Sequence, residues 1–320
     1  MNKRVKKLLF AILFCCLAVP GGMYGATEFF GEGFGEWMIG YQPGRVTQSG
    51  GMASSSVTEG EMQVIFLDVG QGDCTVVRTK KADMVIDCGD KGSADEVVEY
   101  LRSQGIHELE YLILTHPDSD HIGGADEVLA AFEVERVLMP DVGNDTKAYA
   151  EVLKQIEENE VVVEHPDVGD SYLLGDAMFW ILCPDPELVR ESDLNGSSVG
   201  IKLVHGENSF VMCGDAEEES EQAMVERFGN ALECDVLKCG HHGSSTATSA
   251  EFLKVTDPTW AVISCGKDNP YGHPHAEVMA ALEDDDVQVY RTDCQGTVIA
   301  ISNGKELKWR GLQFDGSQKY

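Results

Sequence analysis

The sequence predicts an α/β protein in which mixed β-sheets are covered by helices on their outer faces. Three observations carry this expectation. Short apolar runs of strand composition cluster first and then alternate with helical patterns, and the chain does this twice. No solenoid-length repeat interrupts the order. Residues able to bind a divalent cation recur just after predicted strands, where a rigid sheet would present them.

In chain order, residues 63–69 and 74–78 read as strands joined by the turn Gly70-Gln71-Gly72-Asp73. Residues 84–88 form a third strand, 94–103 a helix and 111–115 a short apolar strand. A helix over 124–132, a strand over 136–139, a helix over 147–158 and a strand over 161–163 complete the first half. The second half opens with strands at 178–182, 199–204 and 210–213, the last two joined by a hairpin turn at His205-Gly206-Glu207-Asn208. A helix at 217–228, a strand at 236–238, a helix at 249–255, a strand at 260–264 and a helix at 275–283 follow. Strands at 287–291, 297–301 and 306–309 close the chain, the last two across a hairpin at Asn303-Gly304.

With 320 residues and 43% hydrophobic content, the chain can bury a substantial core. Lys3, Arg4, Lys6 and Lys7 precede an uncharged apolar run over residues 8–19, broken by Pro20-Gly21-Gly22. This is the layout of a signal peptide or N-terminal anchor over residues 1–26, and the run is shorter than the roughly 20 residues a spanning helix needs. The chain is therefore expected to be secreted or cell-surface, with membrane attachment through the N-terminal segment left open. Residues 27–60 read as a flexible Gly/Ser-rich linker, 61–312 as the folded domain and 313–320 as a tail. The net charge is −31, or −35 without the four basic residues of the export segment. Such an exterior repels polyanions and argues against a broad nucleic-acid-binding face. It leaves room for chemistry on a phosphodiester inside a metal-lined cleft, where bound cations reverse the local field. The eight cysteines beyond residue 26 lie mostly in apolar runs and read as small buried hydrophobes. His107, His165 and His205 have polar neighbours and read as surface residues.

Six of the nine histidines fall into three short segments after predicted strands. In Thr115-His116-Pro117-Asp118-Ser119-Asp120-His121-Ile122-Gly123-Gly124, four ligand-type side chains occur within six residues, in a loop that Pro117 and the glycines make irregular. The bland reading, a capped loop with Asp120 as the helix N-cap, does not call for four such residues. In Phe210-Val211-Met212-Cys213-Gly214-Asp215 an apolar strand delivers one carboxylate, whose two oxygens can bridge two cations. His241 and His242 follow the strand at 236–238 in a Gly/Ser loop, and His273 and His275 flank Pro274.

His116-x-Asp118-x-Asp120-His121 resembles the signature of metallo-β-lactamase-fold hydrolases. Phe66-Leu67-Asp68-Val69-Gly70-Gln71-Gly72-Asp73, Leu237-Lys238-x-x-His241-His242-Gly243-Ser244 and Tyr271-Gly272-His273-Pro274-His275 resemble the ComEC subgroup, the hydrolase domain of DNA-uptake proteins. The resemblance covers about residues 62–310, with the motifs in the expected order. It implies a four-layer αβ/βα sandwich of two mixed sheets with a metal site at one edge. Two departures from zinc lactamases stand out. Asp118 replaces a second histidine, and Asn195 and Ser198 occupy the stretch where another would fall. More oxygen and fewer imidazoles make a harder site, which shifts preference from Zn²⁺ towards Mn²⁺ or Mg²⁺ and puts β-lactam hydrolysis in doubt. The channel helices and oligonucleotide-binding-type domain of full-length ComEC proteins are not recognisable here, so DNA transport is not implied.

The expected chemistry is hydrolysis by a metal-activated water. One or two divalent ions (Mn²⁺, Mg²⁺ or Zn²⁺) are assigned to His116, Asp118, Asp120, His121, Asp215, His273 and one of His241 and His242, with Asp215 as bridge. Asp120, His241 and His242 are the candidate catalytic residues, and the histidine of the pair that is not a ligand protonates the leaving group. Asn195, Ser198, Ser244 and Ser245 are candidate substrate contacts, although Ser244 to Thr246 serve equally well as N-caps of the helix from Ser249. Asp68 and Asp73 either orient ligands from behind or satisfy their own turn. The substrate expectation is a phosphodiester, with single-stranded nucleic acid among the candidate partners and no protein partner evident. A small ester, lactone or nucleotide is the alternative. A non-catalytic surface binding protein on the same fold is the third reading, and the complete ligand set argues against it.

Overall fold

The computed structural model describes residues 57–310 apart from residue 191. The expected export segment, the linker up to residue 56 and the tail lie outside the described residues. None of the helices among those residues is long and apolar enough to cross a membrane.

Two mixed sheets pack face to face. The first contains β1 (Met62–Phe66), β2 (Thr75–Arg78), β3 (Asp83–Ile86), β4 (Glu108–Ile113), β5 (Glu133–Leu138) and β6 (Val162–Glu164), and β14 (Val298–Ser302) and β15 (Leu307–Arg310) extend it beyond β1. The second runs β13 (Gln288–Arg291), β12 (Trp260–Ile263), β11 (Val236–Lys238), β10 (Asn208–Met212), β9 (Gly200–His205), β8 (Ala177–Cys183) and β7 (Ser171–Leu174). β3 to β6 are parallel in the first sheet and β10 to β13 in the second, while the other neighbours are antiparallel.

Period-two alternation places β1 to β5 of the first sheet between two cores. Met62, Val64 and Phe66 of β1 meet Phe179, Ile181 and Phe210 between the sheets. Ile65, Val76, Val85 and Leu112 point the other way. There they pack against α1 (Ala94–Ser103), α3 (Ala125–Ala131) and α4 (Lys147–Glu158), while the one-turn α2 (Ser119–Ile122) lies at the sheet edge. Each fully buried aliphatic or aromatic side chain contributes about 1.5–3 kcal/mol relative to exposure. On the second sheet, α5 (Glu218–Phe228) packs with α6 (Ala250–Thr256) and β8, and α7 (Ala276–Asp284) packs on β13, ahead of the short α8 (Thr292–Gln295). The fold is thus the sandwich of two mixed sheets flanked by helices that the sequence predicted.

Local differences have physical causes. The first strand ends at Phe66, not residue 69, because Leu67 to Cys74 turn into the site loop. β7 was not expected; it is a four-residue edge strand whose Leu173 stays 64% exposed, so it lacks the apolar alternation of a buried strand. The β9–β10 hairpin is tighter than expected, with His205 paired to Asn208 across Gly206-Glu207. A Cβ on Gly206 (φ 59°) would come within 2.3 Å of the Gly304 carbonyl, so glycine lets the two hairpin turns dock. That docking buries His205, contrary to the surface placement expected of it. Seven of the eight described cysteines are buried and all eight are free.

Candidate metal centre

The parallel strands of both sheets end at one edge, and the chemistry-bearing residues follow those ends, as ligand sites in open α/β sheets generally do. Asp87 follows β3, His116 to His121 follow β4, Asp215 follows β10, and His241 and His242 follow β11. The Val199 N–H donates to the Thr115 carbonyl at 2.8 Å, joining the sheets at this edge. Gly214, at φ 53°, would carry a Cβ 2.8 Å from Thr115, so glycine lets the Asp215 turn close onto the His116 loop. His241 and His242 are both left-handed (φ 48° and 54°). For residues other than glycine this strain costs on the order of 1–3 kcal/mol each and concentrates at functional turns.

The outer nitrogens of three imidazoles are engaged by the protein. His121 Nδ1–H donates to Asp87 Oδ2 at 2.8 Å, and Asp87 also accepts from the Thr115 N–H (2.8 Å) and hydroxyl (2.7 Å). His242 Nδ1–H donates to the Ser264 carbonyl at 3.0 Å. His116 Nδ1 lies 3.1 Å from Thr115 Oγ1 and 3.4 Å from Ser198 Oγ. These bonds turn each Nε2 inward. His121 Nε2 lies 3.3 Å from Asp215 Oδ1, and His242 Nε2 lies 3.5 Å from Asp215 Oδ2 and 3.3 Å from Asp120 Oδ2. His116 Nε2 lies 3.6 Å from the half-exposed Asp118. Ligand atoms of Asp73, His121, Asp215 and His242 all fall within 4.8 Å of one another.

The three inward Nε2 atoms and Asp215 Oδ1 are buried without a hydrogen-bond partner. Leaving such an atom unpaired costs about 1–3 kcal/mol, so four of them converging mark a place built for another group. Imidazole and carboxylate donors fit a divalent cation. The charges agree: burial disfavours a protonated His242, yet Asp215, Asp73 and Asp120 raise its pKa to about 10. His121 is raised against the same burial by Asp215 and Asp87. Burial would raise Asp215, but His121 and His242 hold it well below the usual carboxylate range. His121 and His242 would give up these protons to act as ligands of a cation.

Around this cluster the other predicted residues take distinct places. His241 is partly exposed; its Nδ1–H faces Glu217 Oε1 at 3.0 Å and Thr246 Oγ1 at 3.1 Å, and its Nε2 lies 3.7 Å from Asp215 Oδ2. His242, not His241, belongs to the buried four-residue set. His273 stands further out, its ring 5.6 Å from that of His241 and 6.1 Å from that of His242, with Nδ1 buried and unpartnered. Burial and the neighbouring histidines, His242 first, push its pKa down to about 4. Ser198 Oγ accepts from the Asp215 N–H at 3.3 Å, and Asn195 Nδ2 donates to Glu217 at 3.4 Å. Ser244 Oγ pairs with Thr246 Oγ1 at 3.0 Å, and exposed Ser245 pairs with His275 at 3.1 Å. Neither caps α6; Ser249 does, accepting from the Phe252 N–H. Asp120 is not an N-cap either: it lies inside α2, whose N-cap is Asp118. Asp68 accepts from the Gly70 N–H and so satisfies its own turn.

Sequence reasoning left Asp73 ambiguous and missed Asp87, Lys238 and Glu217. Lys238 Nζ meets Asp73 Oδ2 at 2.5 Å, both side chains being buried. Burial opposes both charges, yet Lys238 helps hold Asp73 below the carboxylate range, and Asp73 raises Lys238. The available signal was a charged residue at the end of an apolar strand, at Ile86-Asp87 and at Leu237-Lys238.

A family model described as "Metallo-beta-lactamase superfamily" matches residues 67–267. The ComE operon protein 3 of Bacillus subtilis (strain 168) is 34% identical over 259 residues, 75% of this chain and 33% of its own length. The Competence protein ComA of Neisseria gonorrhoeae is 30% identical over 264 residues, 81% of this chain and 36% of its own. This chain thus spans about a third of the curated relatives it matches. Igni18, described as a novel metallo hydrolase from the hyperthermophilic archaeon Ignicoccus hospitalis KIN4/I, aligns with a TM-score of 0.51 at 15% identity, over 74% of this chain and 98% of that one, a likeness of fold alone. A family match over most of the domain, and a strand-end cluster with the donor chemistry to hold a cation, lead to one conclusion: the chain belongs to the metallo-beta-lactamase superfamily and is a metal-dependent hydrolase.

Proposed function

We propose that this hydrolase is an exported phosphodiesterase that acts on nucleic acid in DNA uptake. The observation that carries the reading is the inward set of His116, His121 and His242 Nε2 with Asp215 Oδ1, buried together and each without a hydrogen-bond partner. Its surroundings are rich in carboxylates, which favours Mn²⁺ or Mg²⁺. His116, Asp118, Asp120, His121, Asp215 and His242 would hold one or two such ions, with Asp215 presenting an oxygen to each side. When bound, the cations supply Lewis acidity, both acidifying a water and countering charge on the phosphoryl oxygens.

The remaining work falls to the chain's own groups. Asp87 and the Ser264 carbonyl keep His121 and His242 in the tautomers that face inward. Glu217 orients the His241 ring at the solvent side of the cluster, where it can pass a proton to the leaving oxygen. The competence relatives support a role in DNA uptake, and the basic-then-apolar stretch at residues 1–26 supports export.

One observation favours a second reading, a small ester, lactone or nucleotide. A cleft of about 350 Å³ beside His241 is lined by Asp193, Glu217, Glu218 and Glu219 with Ser245 and Thr246, a lining that repels an extended polyanion. Hydrolysis of bis-p-nitrophenyl phosphate and plasmid DNA with added Mn²⁺, Mg²⁺ or Zn²⁺, by wild type and Asp120→Ala, decides between them. The phosphodiesterase reading expects metal-dependent turnover that the variant loses. Wild-type protein that retains metal but cleaves neither substrate would leave esters and lactones.

A further inference from the structure

We propose that Tyr271, backed by the ring of His273, is a stacking platform for a nucleobase at the outer side of the metal-facing cluster, so that the substrate is an unpaired, single-stranded nucleotide rather than a duplex. The inference rests on the phosphodiester reading and narrows it. Tyr271 is 63% exposed, and it is the aromatic among the exposed large apolar side chains of the described residues. A lone exposed apolar residue ordinarily needs no explanation, but this one differs in three respects. Its ring lies nearly parallel to that of His273, at 22° with centroids 5.6 Å apart. His273 in turn neighbours His241 and His242, so the tyrosine stands two ring spacings from the metal-facing cluster.

The third respect is that its loop is tied down at several points. Asn269 Nδ2 donates to the Gly266 carbonyl at 2.9 Å and the His273 carbonyl at 2.7 Å, and its Oδ1 accepts from the His273 N–H at 2.9 Å. His275 Nδ1 accepts from the Ser245 N–H at 2.9 Å, and its Nε2–H donates to the Tyr271 carbonyl at 3.2 Å. A loop fixed in this way presents its tyrosine with little freedom left to lose on binding.

A base suits the platform because every nucleobase has a π face, so stacking tolerates any sequence. In a duplex both faces are already covered by neighbouring bases. The net charge of −31 also denies the chain the many phosphate contacts by which duplexes are held, so a stacked base supplies affinity that the backbone cannot.

The test uses the full chain with Mn²⁺, comparing wild type, Tyr271→Ala and Tyr271→Trp. The substrates are a single-stranded oligonucleotide, a tetrahydrofuran (abasic) strand of equal length and bis-p-nitrophenyl phosphate. Wild type is expected to show a KM about tenfold or more lower on the base-bearing strand than on the abasic one. Tyr271→Ala should erase that ratio by raising KM on the base-bearing strand, with kcat and bound metal unchanged, and Tyr271→Trp should keep it. Equal KM on both strands for wild type, or a ratio that survives Tyr271→Ala, overturns the platform while leaving the phosphodiesterase intact. Failure of wild type on all three substrates overturns instead the reading on which the platform rests.

Discussion

Two ends of the molecule each bury histidine beside carboxylate, and they resolve the burial differently. At the base, where the hairpin turns dock, His205 Nδ1–H donates to Ser302 Oγ at 2.8 Å, and Ser302 donates onward to Asn208 Oδ1 at 2.7 Å. His205 Nε2 faces Asp176 Oδ2 at 3.6 Å, and burial still lowers its pKa. At the rim, His121 and His242 are buried more deeply still, but each keeps an inward nitrogen without a hydrogen-bond partner and a raised pKa. One residue type, buried at both ends, is therefore structural at one end and chemical at the other. The difference lies in whether the protein itself satisfies the polar atoms.

The largest effect that tests this contrast is expected at Asp215. Asp215→Ala should leave no metal after desalting and reduce hydrolysis to background, as read by elemental analysis and rate; retained metal would show that the rim cluster is not the binding site. Next is Asp87→Asn, which removes the charge behind His121 and leaves one accepting oxygen for the three donors that Asp87 serves. Metal affinity measured by titration calorimetry should fall about 10- to 100-fold. An unchanged affinity would mean that His121 needs no such support.

At the base the expected readout is stability. Ser302→Ala leaves the His205 N–H without its partner, which should cost about 1–3 kcal/mol in denaturant unfolding while metal affinity stays as in wild type. A loss of metal instead would couple the two ends and undo the comparison. The smallest effect is that of pH on the base. The folded pKa of His205 lies below the unfolded value of about 6.5, so the unfolded chain binds the proton more readily. Stability should therefore fall as pH drops below about 6.5, and His205→Gln should flatten that slope in melts of metal-free protein from pH 7 to 5. A slope unaltered in the variant would assign the acid sensitivity elsewhere.

How much was legible in advance follows from range. α1 and α4 start and stop where their apolar spacing predicts, at Ala94–Ser103 and Lys147–Glu158. The loop from His116 to His121 could be read because its ligand-type residues are contiguous. Asp87 could not, since its partner His121 lies 34 residues away and the two meet only across the parallel pair β3 and β4. Lys238 needed Asp73, 165 positions earlier, to explain its burial.

The sequence by itself determined the strand and helix order, the strand-end placement of the candidate ligands and the family, because these follow from spacings of two, three or four residues and from short motifs. Only the tertiary structure decided that His242 rather than His241 faces inward, that Asp73 joins the cluster against Lys238, and that His205 is buried rather than exposed. Each of those outcomes is the direction of one side chain, set by strands and turns distant in sequence that pack against it.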